Sequence, residues 1–445
     1  MNSTRRALLG AALALPALRF ARAQDAAPPP ILLVHGNGDH AALWMTTLWR
    51  FESNGIARDR LLAVNMPDPL ARANDAVPQP NRSSAAEQTE RLAFFVRDLR
   101  ARTGAPRVAL VGNSRGGYPI RDFVVHAGGA PEVSHAVTCG TPNRGVYDWE
   151  WNEGSEFNGR APFLRRLNGG ASDVVEGTAF LTLRSDNDLY AQPDGRFVGR
   201  PGTPTGVDQD GPMLRGATNI LLPGLDHREV AYHWRAFREY FRFIAGREAQ
   251  AFDVTPEARP VLNGIVTGLA SGAPTNRPVT GARVEVFRVD PATGARTGEA
   301  IHARETGADG VWGPVTVEPG WSLEIVLAVP GHPIAHFFRS PFPRGTEVLH
   351  LRPPAPLAEA DRGAGALVRL TRPRGYFSWP RDVGLLDGRE VAERREGVAS
   401  VATATLRLPA DRTGTPVRSV FNTESITARA VPLAENRIAF AEMTW

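Results

Sequence analysis

The sequence predicts an α/β fold, a doubly wound and mostly parallel sheet, followed by all-β C-terminal domains. Three observations carry that prediction. From about Pro30 to Gly246, short apolar β-branched runs alternate with helix-like stretches, the pattern of parallel strands joined by crossover helices. After about Phe252 no long amphipathic helix intrudes, and short alternating segments are separated by Gly, Pro, Asp and Asn turns, as in antiparallel sheets. The chain has 445 residues, more than one core sustains, because single cores stop growing near roughly 250–300 residues.

The opening segment, 1–23, reads as an export signal. Thr4-Arg5-Arg6-Ala7-Leu8-Leu9 sets two adjacent arginines before an apolar stretch, and Ala7 to Leu18 is too short to span a bilayer. Ala21-Arg22-Ala23 then supplies a small-x-small cleavage pattern. This is a twin-arginine-type signal and predicts a periplasmic or secreted protein. It also explains the formal charge of +4: setting its four arginines aside from the 51 leaves 47, against 47 acidic residues. Such a balance gives no support to nucleic-acid binding. There is no lysine, which excludes a lysine nucleophile or Schiff base. Cys139 is the only cysteine, so an intramolecular disulfide and a thiolate zinc cluster are both excluded. Its apolar surroundings, Ala136-Val137-Thr138-Cys139-Gly140, predict a small buried core residue.

Within the segment 24–250, Ile31 to Val34, Leu61 to Val64, Val108 to Val111, His135 to Cys139, Phe180 to Leu183 and Asn219 to Leu222 read as strands. Ser84 to Arg102, Tyr118 to His126 and Glu229 to Ile244 read as helices. In the later half, Ala282-Arg283-Val284-Glu285-Val286-Phe287 and Ser322-Leu323-Glu324-Ile325-Val326-Leu327 alternate as strands do. Pro353-Pro354-Ala355-Pro356 predicts a stiff linker. It divides this half into β domains at 258–352 and 362–445. The first, with Gly281-Ala282-Arg283-Val284-Glu285-Val286 and Ala308-Asp309-Gly310-Val311-Trp312, resembles transthyretin-like or carboxypeptidase-regulatory-like modules.

The strongest motif is Gly112-Asn113-Ser114-Arg115-Gly116, between the strand ending at Val111 and the helix from Tyr118. It matches G-x-S-x-G in a strand–turn–helix setting. Ser114 must occupy a sharp, strained turn, where side chains at Gly112 or Gly116 would clash. The turn exposes the hydroxyl and sets the helix N-terminus beneath a developing oxyanion. Val34-His35-Gly36-Asn37-Gly38 follows the first strand, and Cys139-Gly140-Thr141-Pro142-Asn143-Arg144-Gly145 follows the fourth. Strand Phe180 to Leu183 runs into Ser185-Asp186-Asn187-Asp188, and Leu221-Leu222-Pro223-Gly224-Leu225-Asp226 precedes His227.

Over roughly 30–246 these motifs resemble the α/β-hydrolase superfamily. The Gly140-to-Gly145 run is similar to the G-T-P-x-x-G segment of lipases, and a following β region is similar to lipases with a C-terminal lipid-binding β domain. Asn113 departs from the histidine common before the serine. The resemblance implies chain order serine, acid, histidine. It makes Ser114 the nucleophile, and Asn37 and Arg115 the oxyanion donors through main-chain N–H groups. His35 is then structural, since it precedes the serine. Of the later histidines, His126 lies behind the elbow and His135 at the far end of a strand. His227 sits on a loop that can cross the sheet edge, and is preferred as base over His233, which falls on a helix. Both Asp186 and Asp188 are candidate acids. The resemblance to bacterial lipases, in which two or three polar residues separate the strand from the acid and an apolar turn (here Leu189-Tyr190) follows, favours Asp188 and leaves Asp186 to cap the turn. The aromatics Tyr147, Trp149, Trp151, Phe157 and Phe163 lie where such folds place a lid or acyl-pocket wall.

Together these residues imply a serine ester hydrolase, a lipase or carboxylesterase acting on acylglycerols or other lipid esters. Neither cofactor nor metal is expected: no HExxH occurs, and the remaining Asp and His positions lack ligand spacing. Alternatives are a polyester depolymerase or a catalytically inactive surface-binding protein. The β half holds no serine in an elbow, and its histidines (His302, His332, His336 and His350) are scattered. It is expected to dock on a lipid or polymer surface, with the chemistry needing nothing beyond about residue 250.

Overall fold

The computed structural model describes residues 27–445; the expected export segment, 1–23, lies outside the described residues. The α/β domain runs β1 (Ile31–Val34), α1 (Met45–Ser53), β2 (Leu61–Val64), α2 (Ala85–Thr103), β3 (Val108–Asn113) and α3 (Gly117–Val125). It continues with β4 (Val133–Cys139), α4 (Pro162–Asn168), β5 (Ala179–Arg184), β6 (Thr218–Leu221), α5 (Glu229–Tyr232) and α6 (Trp234–Ala245). The strands form one parallel sheet in the order β2-β1-β3-β4-β5-β6. Strand alternation divides its side chains between two layers. Ile31, Leu33, Ala109 and Val111 pack with Phe51 of α1 and Phe237, Tyr240 and Phe241 of α6. Leu32, Val34, Val108 and Leu110 pack on the opposite face with Leu92, Val96 and Leu99 of α2 and Ile120 and Phe123 of α3.

Local chemistry sets the helix ends. Ser84 and Glu87 exchange side-chain-to-backbone hydrogen bonds at 3.2 and 2.8 Å, a capping box that starts α2, and Gly104 at φ 66° ends it. The single helix expected over Glu229 to Ile244 is two. His233 is extended (ψ 147°), and its imidazole accepts the Arg235 N–H at 3.2 Å, capping α6. An α1 helix also appears where the sequence reading had none.

The β half differs from the expectation of two domains. A seven-stranded sheet runs through His302–Glu305, Arg283–Val289, Ser322–Ala328, Ile334–Arg339, Arg437–Glu442, Ala366–Thr371 and Thr403–Leu408, in that spatial order. Arg437–Glu442 lies parallel between Ile334–Arg339 and Ala366–Thr371, so strands from 258–352 and 362–445 share one ladder. A four-stranded sheet including Pro416–Phe421 and Glu424–Arg429 covers one face. The division at 352–362 is corrected to one continuous β region, because the late strand inserts between the two segments.

That region also shares a core with the α/β domain. Met45 and Trp49 of α1 are buried among Leu262, Val266, Trp312 and Phe342, and the Trp49 indole N–H donates to Gly345 O at 2.7 Å. Replacing Trp49 with alanine is expected to remove about 3–5 kcal/mol, the usual cost of emptying a buried aromatic site. Urea unfolding should show this as a lower midpoint, with fluorescence and circular dichroism transitions still coincident. An unchanged midpoint would mean that the shared core adds little.

Candidate active site

The site lies at the carboxyl ends of the strands, where β1 is flanked by β2 on one side and β3 on the other. This is the switch point at which open α/β sheets bind ligands. Ser114 leaves β3 in the left-handed region, φ 54°, a strained state for a residue with a side chain. The turn closes because its neighbours are glycines. A Cβ at Gly112 would lie 2.6 Å from Gly116 O, and one at Gly116 would lie 2.6 Å from both Val34 O and His35 O. Gly36, after β1, abuts the serine: a Cβ there would come 2.9 Å from Ser114 Cβ. Asn37 follows at once, its side chain fixed by the Ala71 N–H at 2.8 Å.

His227 and Asp188 come together. The imidazole Nδ1 is 2.8 Å from Asp188 Oδ2, both side chains are buried, and Asp188 Oδ1 accepts the Tyr190 N–H at 2.8 Å. The Tyr190 ring meets the imidazole edge-on, with centroids 4.3 Å apart. At about 4.8 Å per strand, β6 ends roughly 14 Å from β3, so the loop after it must cross back to reach the elbow. Asn113 marks that return: its Nδ2 donates to both Cys139 O and His227 O, each at 3.1 Å. Ser114 Oγ has no side-chain hydrogen-bond partner among the described residues. Ser114 and Asp188–His227 thus share one end of the sheet, joined through Asn113.

The competing candidates lie elsewhere. Asp186 is exposed and accepts the Gly224 N–H at 2.7 Å, tying the acid loop to the histidine loop. His233 caps α6. His35 is buried, with Nδ1 2.8 Å from Gly36 O and Nε2 accepting the Met66 N–H at 3.0 Å, a structural pairing. The Arg115 side chain faces away into a buried ion pair with Glu156 and donates to Pro69 O and Ser83 O, so only its main chain is offered to the site. Phe157 and Phe163 pack against Tyr118. Tyr147, Trp149 and Trp151 stack in series, ending at an exposed Trp151. Cys139 is fully buried, which pushes its thiol pKa up. Among the described residues, no group of three or more His, Cys, Asp or Glu side chains is arranged to hold a metal ion.

Around His227 the sequence Asp226-His227-Arg228-Glu229 closes a box. Asp226 Oδ1 accepts the Arg228 and Glu229 N–H groups at 2.8 and 2.9 Å, and Glu229 Oε2 accepts the Asp226 N–H at 2.8 Å. Burial raises the Asp226 carboxyl pKa, and the neighbouring Glu229 charge adds to it. Burial acts the same way on Glu229, but the Arg372 and Arg381 guanidiniums outweigh it and hold that carboxyl below its ordinary range. Arg372, Arg381 and a third residue, Asn276, reach the site loops from the β region. No local motif in the sequence announces any of them.

Residues 263–356 match the family described as Lipase C-terminal domain, and no curated protein sequence matches the chain. Among solved structures, the mature form of a Bacillus licheniformis lipase is similar over 49% of this chain and 93% of its own, at 19% identity and TM-score 0.34. Its propeptide form aligns over 90% of this chain and 96% of its own, at 14% identity and TM-score 0.34. A Listeria innocua gene product aligns over 51% and 97%, at 15% identity and TM-score 0.35. The chain thus joins a parallel α/β sheet with a left-handed serine turn to a C-terminal β region, part of which, 263–356, matches the Lipase C-terminal domain family.

Burial also sets an acid limit on the fold. It pushes His35 and His233 down to about 4 and His350 to about 3, and holds His40 well below its ordinary value. These groups stay neutral when folded but protonate near 6.5 when unfolded. Stability is therefore full above pH 6.5 and falls as pH drops toward 4, by up to about 1.4 kcal/mol per pH unit for each histidine. Denaturation midpoints should decline steadily from pH 7 to 5. A flat profile would mean that these imidazoles take up protons in the folded chain.

Proposed function

We propose that the protein is an exported serine ester hydrolase that cleaves carboxylic esters through an acyl-enzyme, with lipid esters as its substrate class. The observation that carries this reading is the buried His227–Asp188 hydrogen bond of 2.8 Å, tied by Asn113 to the strained Ser114 turn. With Nδ1 engaged by Asp188, the other ring nitrogen, Nε2, is the one available to take the Ser114 proton. The resulting alkoxide attacks the ester carbonyl, and the Asn37 and Arg115 N–H groups stabilise the oxyanion. His227 then gives the proton to the leaving alcohol. Water, activated by the same imidazole, releases the acid and restores the serine. Asp188 fixes the tautomer and offsets the imidazolium charge. The lipid class is supported by the family match at 263–356. The β region is proposed to meet the lipid surface, and export is supported by the Arg5-Arg6 motif.

Ser114→Ala and His227→Ala should each abolish hydrolysis of p-nitrophenyl esters, and Ser114→Ala should lose stoichiometric fluorophosphonate labelling. A wild type that takes no label would favour a surface-binding protein instead. Running the ester series from short to long acyl chains identifies the preferred class.

Asp188→Asn should lower turnover by roughly 10³-fold or more, as losing the tautomer-setting carboxylate does, whereas Asp186→Asn should stay within about tenfold. Equal, small effects from the two would place the acid elsewhere.

A further inference from the structure

The loops that carry the site are gripped by side chains from the β region. Arg372 is buried, and its guanidinium donates to Asp226 Oδ2 at 2.9 Å, Glu229 Oε1 at 2.6 Å and Tyr232 Oη at 2.9 Å. Arg381 donates to both Glu229 oxygens, at 2.7 and 3.0 Å, and to Gly224 O at 2.6 Å. The Tyr376 N–H adds a bond to Asp226 Oδ2 at 2.7 Å. His227 therefore sits between two buried carboxylates whose remaining lone pairs are filled from the β region. The acid loop is held in the same way: Asn187, next to Asp188, donates to Ser378 Oγ at 2.8 Å. On the other side of the serine, Asn276 is buried and its Nδ2 donates to Asp39 O at 2.8 Å and Met66 O at 2.9 Å. Its main-chain N–H reaches Pro67 O at 2.8 Å. Asp39 closes the loop that presents Asn37.

We propose that the β region is a positioning frame for the catalytic site, in which Arg372 and Arg381 fix the His227 loop and Asn276 fixes the loop of the oxyanion donor. This rests on the serine-hydrolase reading and assigns the β region a role beyond docking. The frame has a physical reason. The excursion from β6 toward the elbow, residues 222–228, buries Leu222 and Leu225 in the core, but the turn that bears the imidazole also carries the buried Asp226 carboxylate, which needs partners to stay in one orientation. The Arg381 fork on both Glu229 oxygens and the Arg372 bridge from Asp226 to Glu229 restrict both direction and distance. Misplacing a catalytic group by about 1 Å can cost on the order of 10²-fold.

The test compares full-length variants below their unfolding temperature on a soluble p-nitrophenyl ester. Arg372→Met and Arg381→Met should each lower kcat by about 10- to 100-fold with KM within about twofold, because the lost interaction acts on the transition state. Arg372→Lys should recover part of that loss, since it restores charge but not the fork. Asn276→Ala should lower kcat in the same sense. Wild type should show a low-field proton resonance from His227 Nδ1–H, and that signal should broaden or vanish in Arg372→Met. Arg339→Met breaks a buried pair with Glu442 inside the β region; it should lower stability yet leave kcat unchanged. Should Arg372→Met fail to fold, Arg381→Met and Arg372→Lys carry the same comparison. Folded Arg372→Met and Arg381→Met enzymes with kcat within threefold of wild type and an intact low-field signal would overturn the frame. An active, fluorophosphonate-labelled wild type with unchanged variants overturns the frame alone. An unlabelled, inactive wild type removes the hydrolase reading as well.

Discussion

The left-handed conformation of Ser114 is the constraint around which the rest of the α/β domain is arranged. A residue with a side chain holds φ 54° only where its surroundings leave no alternative. Here the surroundings are backbone: the carbonyls of Val34, His35 and Gly116 come so close that no side chain fits at Gly112 or Gly116. That proximity requires β1 and β3 to be neighbours, and they are, with Val34 registered against Gly112. Strand order, glycine placement and the left-handed turn at Ser114 are thus one geometric condition.

What was legible in the sequence was what local chemistry decides. The serine motif, the six parallel strands and the segments that bring His227 within hydrogen-bond distance of Asp188 could be read because short segments carry them. The helix read over Ser84 to Arg102, found at Ala85–Thr103, belongs to the same class. The break at His233 escaped because periodicity continues across it; only the imidazole's bond to the Arg235 N–H reveals the new cap. The division of the β half failed for a different reason. A proline-rich stretch looks like a boundary, but Arg437–Glu442 pairs with strands on both sides of it, across 103 residues to Ile334 and 71 residues to Val368. Arg372 was equally hidden, because an arginine in a Thr-Arg-Pro-Arg run shows nothing of carboxylates in a distant loop.

Those carboxylates have an energetic logic. Asp226 and Glu229 are buried, and isolated buried charges are costly to desolvate. Each is compensated partly by main-chain N–H groups of its own loop and partly by guanidiniums from elsewhere. Such pairs add little net stability relative to apolar packing, but losing one partner costs about 3–5 kcal/mol. The arrangement is therefore better understood as fixing geometry than as holding the two regions together, a task that Met45, Trp49 and their apolar neighbours already perform.

The strand Arg437–Glu442 has a consequence for how the molecule is made. It follows every other strand in chain order, yet it occupies an interior position in the seven-stranded sheet. During synthesis, the strands that flank it must wait with open edges until it leaves the ribosome. The β region can close only once that strand has been made, and the loops that its side chains contact lack those partners until then. A chain released before that strand would thus carry Ser114, Asp188 and His227 and still lack the finished β sheet behind the loops that hold them.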